Sequence, residues 1–165
     1  MVNPEKIYSD IIQTMDDAHA DYKLFSHRKA LSYDELGEIQ KEVGFIGSEG
    51  KCLVLKGNDK FFVYITLSGN RVDFKKIAER VQAAKVKMAN PEELLEHFGA
   101  EPGCAYPFGF NEDIDIYIDP KIYEVDWFLF SPCLPTKTVQ IRGADLKKIF
   151  ASLNNKVQEA DDFNL

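Results

Sequence analysis

Apolar residues recur every three to four positions in five stretches of the chain, which predicts five amphipathic helices. Residues that favour helix N-termini precede four of them. Asn, Ser and Asp favour this position because their side chains can accept hydrogen bonds from the first free amides of the helix. These four helices are predicted to begin after Asn3, Ser32, Asp73 and Asn90. The fifth helix is predicted over Ala144–Leu153. Gly44 and Gly99 end the second and fourth helices, as glycine commonly does.

Between these helices, short apolar or alternating runs predict β-strands. The predicted strands are Tyr22–Ser26, Lys51–Lys56, Phe61–Leu67, Lys85–Met88, Ile114–Ile118, Trp127–Ser131 and Thr138–Ile141. Gly57-Asn58-Asp59 indicates a hairpin between the second and third. Hairpin and crossover connections together predict one α/β domain, residues 1–165, with a mixed central sheet flanked by helices. Its core is expected over about residues 20–153, and the last dozen residues are expected to fray.

Composition narrows the class of protein. With 45% hydrophobic and 28% charged residues, the chain is typical of a globular domain. No run approaches the length of a membrane span, and the start has no apolar signal region, so a cytoplasmic location is expected. The three cysteines show no CxxC spacing, which argues against a disulfide framework or a structural zinc site.

Charge is distributed unevenly along the chain. The net charge of −7 argues against a generic nucleic-acid binder. Residues 51–88 nevertheless contain nine Lys or Arg against three Asp or Glu, whereas residues 89–126 contain one against ten. Either these blocks mix in space, or one basic surface serves an anionic partner.

The segment Gly103–Gly109, GCAYPFG, has the strongest chemical character. Two glycines and a proline bracket a turn whose amides can point into one concavity, as in oxyanion holes and anion nests. Lys51 opens an apolar strand. One cation and one amide-lined loop together can hold a phosphate and polarise a carbonyl.

With Lys51 and this loop placed, residues 20–153 resemble the YbaK/prolyl-tRNA-synthetase-associated domain family. The resemblance rests on Lys51 at a strand start, on RVDFKKIA over Arg71–Ala78, on PEEL over Pro91–Leu94, and on the GxxxP loop Gly103–Pro107. It is the order of these features that makes the match specific.

The resemblance implies trans-editing, the hydrolysis of the ester between a wrong amino acid and the terminal adenosine of a tRNA, with tRNA-Pro expected. It implies catalysis without a metal, a cofactor or a covalent nucleophile. The loop, Gly103, Cys104, Ala105, Tyr106 and Pro107, would hold the substrate carbonyl, and Lys51 would engage the adenosine end. The partners implied are the tRNA acceptor end and, as a further candidate, prolyl-tRNA synthetase.

Several positions depart from the family pattern and are expected to affect which amino acid is removed. Cys52 follows the lysine, Tyr106 precedes the loop proline, and Ser131-Pro132-Cys133 ends a strand. The expected substrate-binding residues are His27, Cys52, Ser131, Phe108 and Gly109. The expected tRNA-binding residues are Lys56, Lys60, Arg71 and Lys75.

Two alternatives remain open from the sequence. The chain can be a non-catalytic tRNA-binding or synthetase-docking module of the same fold. It can also be a thiol or ester hydrolase that uses Cys104, although the three cysteines are more readily explained as small apolar residues lining a pocket.

Overall fold

The computed structural model describes residues 2–30 and 32–165, and it contains five α-helices within them. The helices are α1 (Pro4–Asp17), α2 (Tyr33–Val43), α3 (Phe74–Val81), α4 (Pro91–Phe98) and α5 (Gly143–Ser152). A short 3₁₀ turn covers Pro120–Tyr123.

Eight strands form one mixed sheet flanked by the helices, which confirms the predicted fold class. They are β1 (Tyr22–Ser26), β2 (Ser48–Gly57), β3 (Lys60–Leu67), β4 (Lys87–Met88), β5 (Asp115–Ile118), β6 (Trp127–Phe130), β7 (Lys137–Arg142) and β8 (Val157–Glu159). The order across the sheet is β1-β7-β6-β2-β3-β5-β8, with β4 paired to β2. The β6–β2, β3–β5 and β5–β8 pairs are parallel, and the others are antiparallel.

Side-chain caps explain where four helices begin. The side chains of Asn3, Ser32, Asp73 and Asn90 each accept a hydrogen bond from an amide in the first turn. At α4 the capping is reciprocal, because the Glu93 carboxylate also accepts from the Asn90 amide. The predicted helix starts are therefore confirmed.

The β2–β3 hairpin forms the centre of the sheet. Gly57 pairs with Lys60, so Asn58 and Asp59 make a two-residue turn, and both have positive φ angles, 54° and 58°. Two consecutive residues in this region define the type I′ turn, whose twist matches that of the flanking strands. Strand β2 begins three residues before the predicted Lys51, at Ser48.

The C-terminal segment is ordered against the core, so the prediction that it frays is wrong. Strand β8 pairs with β5, and the Leu165 amide donates to the Arg71 carbonyl. Phe163 is fully buried and contacts Tyr64 and Tyr117 through ring centroids 5.2 and 5.5 Å apart. Burial of an aromatic ring stabilises a segment whose flanking residues are polar.

Candidate functional site

The principal cavity lies along β2, between the places where β6 and β4 pair with that strand. Strand β6 pairs only with Ser48 and Glu49 of β2, and β4 pairs only with Leu55 and Lys56. The β2 edge over residues 50–54 therefore has no strand partner on the side opposite β3, although the Val54 carbonyl accepts from the Ala89 amide. A cavity of about 940 Å³ opens along this edge. Its volume is at the upper end of the range typical of small-molecule sites, roughly 300–1,000 Å³.

The start of the GxxxP loop lines this cavity through Gly103, Cys104 and Ala105. Gly103 has φ +87°, a backbone conformation that residues with a side chain rarely adopt. The Cys104 amide donates to the Glu101 carbonyl at 2.9 Å, which closes the turn. Within residues 2–30 and 32–165, the amides of Gly103 and Ala105 donate no hydrogen bond. Two of the expected amides are thus free, and a third is used to hold the loop.

Lys51 also lines the cavity, and its side chain is half-buried. Its Nζ donates to the Asn70 carbonyl oxygen at 3.0 Å. One such bond fixes the direction of the ammonium while leaving two N–H groups for a ligand. The structure therefore brings the predicted cation and the predicted loop into one cavity.

A buried polar network supports the residue that holds Lys51. The Asn70 side-chain amide donates to the Thr66 hydroxyl at 3.0 Å, and that hydroxyl donates to Asp119 at 2.7 Å. Asn164, near the C-terminus, donates to the same Asp119 oxygen at 3.0 Å. The ordered C-terminus thus contributes to the position of Lys51, which the sequence patterns did not reveal.

His27 lines the cavity with both ring nitrogens engaged. Its Nδ1 lies 2.7 Å from the Arg28 carbonyl oxygen, and its Nε2 lies 2.7 Å from the Thr138 hydroxyl. Since a carbonyl only accepts, Nδ1 carries a proton, and the neutral ring then accepts at Nε2. His27 is therefore a fixed wall of the cavity.

Ser131 and Cys52 line the cavity from opposite sides of the gap between β6 and β2. The Ser131 hydroxyl donates to the Leu134 carbonyl at 3.1 Å. Burial raises the pKa of the Cys52 and Cys104 thiols above the ordinary value. Both thiols are then protonated at neutral pH, and a protonated thiol is a poor nucleophile.

Glu49 is a cavity residue that the sequence analysis missed. It precedes Lys51 by two positions on β2, so the two side chains project from the same face of the strand. Burial raises the pKa of its carboxyl from 4.5 to about 7. The signal that could have found it is strand alternation extended back from Lys51, but the predicted strand began at Lys51.

The second half of the loop holds four expected site residues and does not line the cavity. Tyr106 is buried, its hydroxyl donates to the Phe98 carbonyl at 2.9 Å, and its ring stacks on Phe110 at 4.7 Å. Pro107 is also buried, and Phe108 packs edge-to-face against Phe130. At Gly109 a side chain would meet Ile11, at 3.0 Å. These residues fix the loop to the core.

The four cations expected to bind tRNA are not equivalent in the structure. Lys56 forms an ion pair with Glu93 at 2.9 Å. Lys60 lies in the hairpin, beyond the end of β2 that is remote from Lys51. Arg71 and Lys75 are exposed next to Val72 and Phe74, which line the cavity. In the described part of the chain, Arg71 and Lys75 are therefore the better placed pair.

Across residues 2–30 and 32–165, no group of three or more His, Cys, Asp or Glu side chains is placed to hold a metal ion. In the same residues, no helix has the length and apolar character needed to cross a membrane.

Known proteins resemble this chain in sequence and in fold. Residues 35–149 match the family model of the aminoacyl-tRNA editing domain. The multifunctional Ser/Thr-tRNA deacylase ProXp-y of Escherichia coli is 24% identical over 144 residues, which are 84% of this chain and 85% of that protein. The proline–tRNA ligase of Bacillus velezensis is 33% identical over 72 residues, 44% of this chain, so the match spans only 13% of the ligase.

Among solved structures, a protein assigned as a candidate trans-editing enzyme for prolyl tRNA synthetase superposes with a TM-score of 0.69. Its sequence is 20% identical, and the match covers 96% of this chain and 98% of that one. This likeness concerns the fold, whereas the sequence match covers the strand with Lys51 and the loop at Gly103. The chain belongs to the aminoacyl-tRNA editing domain family.

Proposed function

We propose that this protein hydrolyses the ester of mischarged aminoacyl-tRNA in trans, with tRNA-Pro as its substrate. The observation that carries the proposal is the shared cavity. It is lined by Gly103 and Ala105, whose amides donate no hydrogen bond within the described residues, and by the half-buried Lys51. These are the groups needed to stabilise the oxyanion of ester hydrolysis and to hold the anionic end of a nucleic acid.

In the proposed reaction, a water oxygen attacks the ester carbonyl carbon, and the carbonyl oxygen becomes an oxyanion next to the Gly103 and Ala105 amides. The bond from carbon to the ribose oxygen then breaks. The proton lost by water reaches the ribose oxygen, which leaves a free amino acid and a tRNA with its terminal hydroxyl restored. Loss of one oxyanion donor typically slows such a reaction by about 100- to 1,000-fold.

A water nucleophile fits the cavity better than a protein nucleophile. The Cys104 and Cys52 thiols are held protonated by burial. His27 would have to break a hydrogen bond to Thr138 or Arg28 before it could act as a base. These points argue against the alternative of a Cys104-dependent hydrolase.

The tRNA acceptor end would approach from the side of α3. Arg71 and Lys75 are exposed there, next to cavity-lining residues, and are placed to contact phosphates. The proline–tRNA ligase relative supports tRNA-Pro as the tRNA and a prolyl-tRNA synthetase as a partner. The Ser/Thr-tRNA deacylase relative supports a small aminoacyl group.

The test is a deacylation assay with tRNA-Pro charged in turn with Ala, Cys, Ser and Thr, comparing the wild type with Lys51→Ala. We expect hydrolysis of at least one substrate and a loss of about 10- to 150-fold in kcat/KM for the variant, the effect of losing a hydrogen bond to a charged group. Lys148→Ala removes the same charge from α5, where Lys148 pairs with Asp145, and is the matched control.

Two results would contradict the proposal. Tight tRNA binding without hydrolysis of any charged tRNA would favour the non-catalytic docking module. A folded Lys51→Ala protein with the activity of Lys148→Ala would remove Lys51 from the reaction.

A further inference from the structure

Glu49 lines the cavity with its carboxylate unengaged by the residues that the structure describes. Within residues 2–30 and 32–165, its carboxylate has no hydrogen-bond donor and no ion-pair partner. Three cationic side chains also line the cavity, but each is held elsewhere. Lys29 pairs with Glu101, Lys137 donates to Ser26, and Lys51 donates to Asn70.

An unpaired, half-buried carboxylate is costly unless a ligand compensates it. The groups near Glu49 do not supply that compensation. The Tyr33 hydroxyl and the Cys52 thiol interact electrostatically with it, and burial raises the pKa of both. Neither group can supply a positive charge, and the carboxylate oxygens of Glu49 remain accessible to a cationic group of a ligand.

The position of Glu49 in the sheet indicates which part of a substrate would meet it. Glu49 pairs with Leu129 across the short β2–β6 ladder. Two residues later in each segment come Lys51 on β2 and Ser131, just past the end of β6. That separation is about 7 Å along a strand. Ser131 contacts the Cys104 side chain at the start of the GxxxP loop. Glu49 thus lies in the same cavity as the loop, two residues along the sheet from the level of Ser131.

An aminoacyl ester provides a cation at that place. Its carboxyl group is consumed by the ester, but its α-amino group remains, and an α-amino group has a pKa of about 8. The ammonium is on the carbon bonded to the reacting carbonyl. A carboxylate is the group that binds an ammonium most strongly, through charge-assisted hydrogen bonds.

We infer that Glu49 binds the α-ammonium group of the aminoacyl moiety and thereby selects substrates with a free amine. This inference rests on the proposed function, since it names the group that recognises one part of the same substrate. It assigns to Glu49 a role distinct from those of Lys51 and the loop. An alternative role for the same carboxylate is that of a general base toward the attacking water.

The experiment compares a charged tRNA with its N-acetylated form, which has no ammonium. Of the four charged tRNA-Pro species, the one hydrolysed fastest is used. The quantity measured is the ratio of kcat/KM for the free-amine substrate to kcat/KM for the acetylated one. For Glu49→Gln we expect this ratio to fall by about 10- to 100-fold relative to the wild type. Glu49→Asp keeps the negative charge on a side chain that is one methylene shorter, so the carboxylate lies farther from the ammonium and the ratio should be intermediate.

Glu101→Gln is the matched control, because Glu101 lines the same cavity but is already paired with Lys29 at 3.0 Å. Its ratio should equal that of the wild type. A ratio unchanged in Glu49→Gln would overturn the inference, and an equal loss on both substrates would assign Glu49 as the base instead. If the wild type hydrolyses no charged tRNA, the proposed function fails. The quantity measured is then the ratio of two binding affinities, one for the stable amide analogue 3′-aminoacylamino-3′-deoxyadenosine with a free amine and one for its N-acetylated form.

Discussion

Replacement of Glu49 by glutamine should stabilise the protein above neutral pH and not in mild acid. The carboxyl has a pKa of 4.5 when solvated and about 7 in the folded protein. Between these values the native state retains a proton that the unfolded state has lost, so the wild type loses stability as the pH rises through this window and is constant above it. Glutamine has the same shape and no charge, and its stability should lack this decline.

The size of the effect follows from the change in proton affinity. A rise in pKa from 4.5 to about 7 corresponds to about 3 kcal/mol, at about 1.4 kcal/mol for each tenfold change. Because the carboxyl is half-buried and the cavity admits water, we expect about 2 kcal/mol. Tyr33 and Cys52, the titratable neighbours of Glu49, should not contribute, since burial raises the pKa of both and keeps them protonated over this range.

The assay is urea unfolding of both proteins at about pH 4 and about pH 8, which lie on either side of the two pKa values. Trp127, the single tryptophan and a buried residue, provides the fluorescence signal. The difference in unfolding free energy between variant and wild type should be near zero in acid and about 2 kcal/mol in favour of glutamine at the higher pH. A difference that is the same at both pH values would refute the reasoning, because it would mean that Glu49 titrates as a solvated carboxyl.

Two further predictions concern residues whose roles the tertiary structure revealed. Tyr106→Phe should reduce the free energy of unfolding by about 1–2 kcal/mol, because the Phe98 carbonyl loses its buried hydroxyl donor. It should leave the ranking of the Ala, Cys, Ser and Thr substrates unchanged. A changed ranking in the deacylation assay would mean that Tyr106 contacts the substrate. Phe163→Ala should cost about 3–5 kcal/mol in urea unfolding, as for other buried phenylalanines. Leu165→Ala changes a residue that is 74% exposed, so it is the control and should lower the free energy of unfolding by less than about 0.5 kcal/mol. Equal effects of the two substitutions would show that the C-terminal segment does not pack against the core in solution.

The sequence by itself determined the five helices and seven of the eight strands, with boundaries to within a few residues, and missed β8. Local physics is sufficient for this, because a cap such as Asn90 or a turn such as Asn58-Asp59 depends on neighbouring residues only. The order of Lys51 and the Gly103 loop along the chain was also sufficient to predict the family. Mixed helices and strands then predicted the α/β class, which the eight-stranded sheet confirms.

Only the tertiary structure decided which side chains face the cavity. Tyr106 and Phe108 belong to a loop motif, but whether their rings point to a substrate or to the core depends on Phe98 and Phe130, which come from α4 and β6. The polar C-terminal segment shows no strong local pattern, and it is ordered because Phe163 fills a space between Tyr64 and Tyr117. Glu49 gains its raised pKa from burial, a property of the assembled sheet where β2 and β6 separate. Burial is the sum of contacts between residues distant in sequence, and for that reason a local pattern does not contain it.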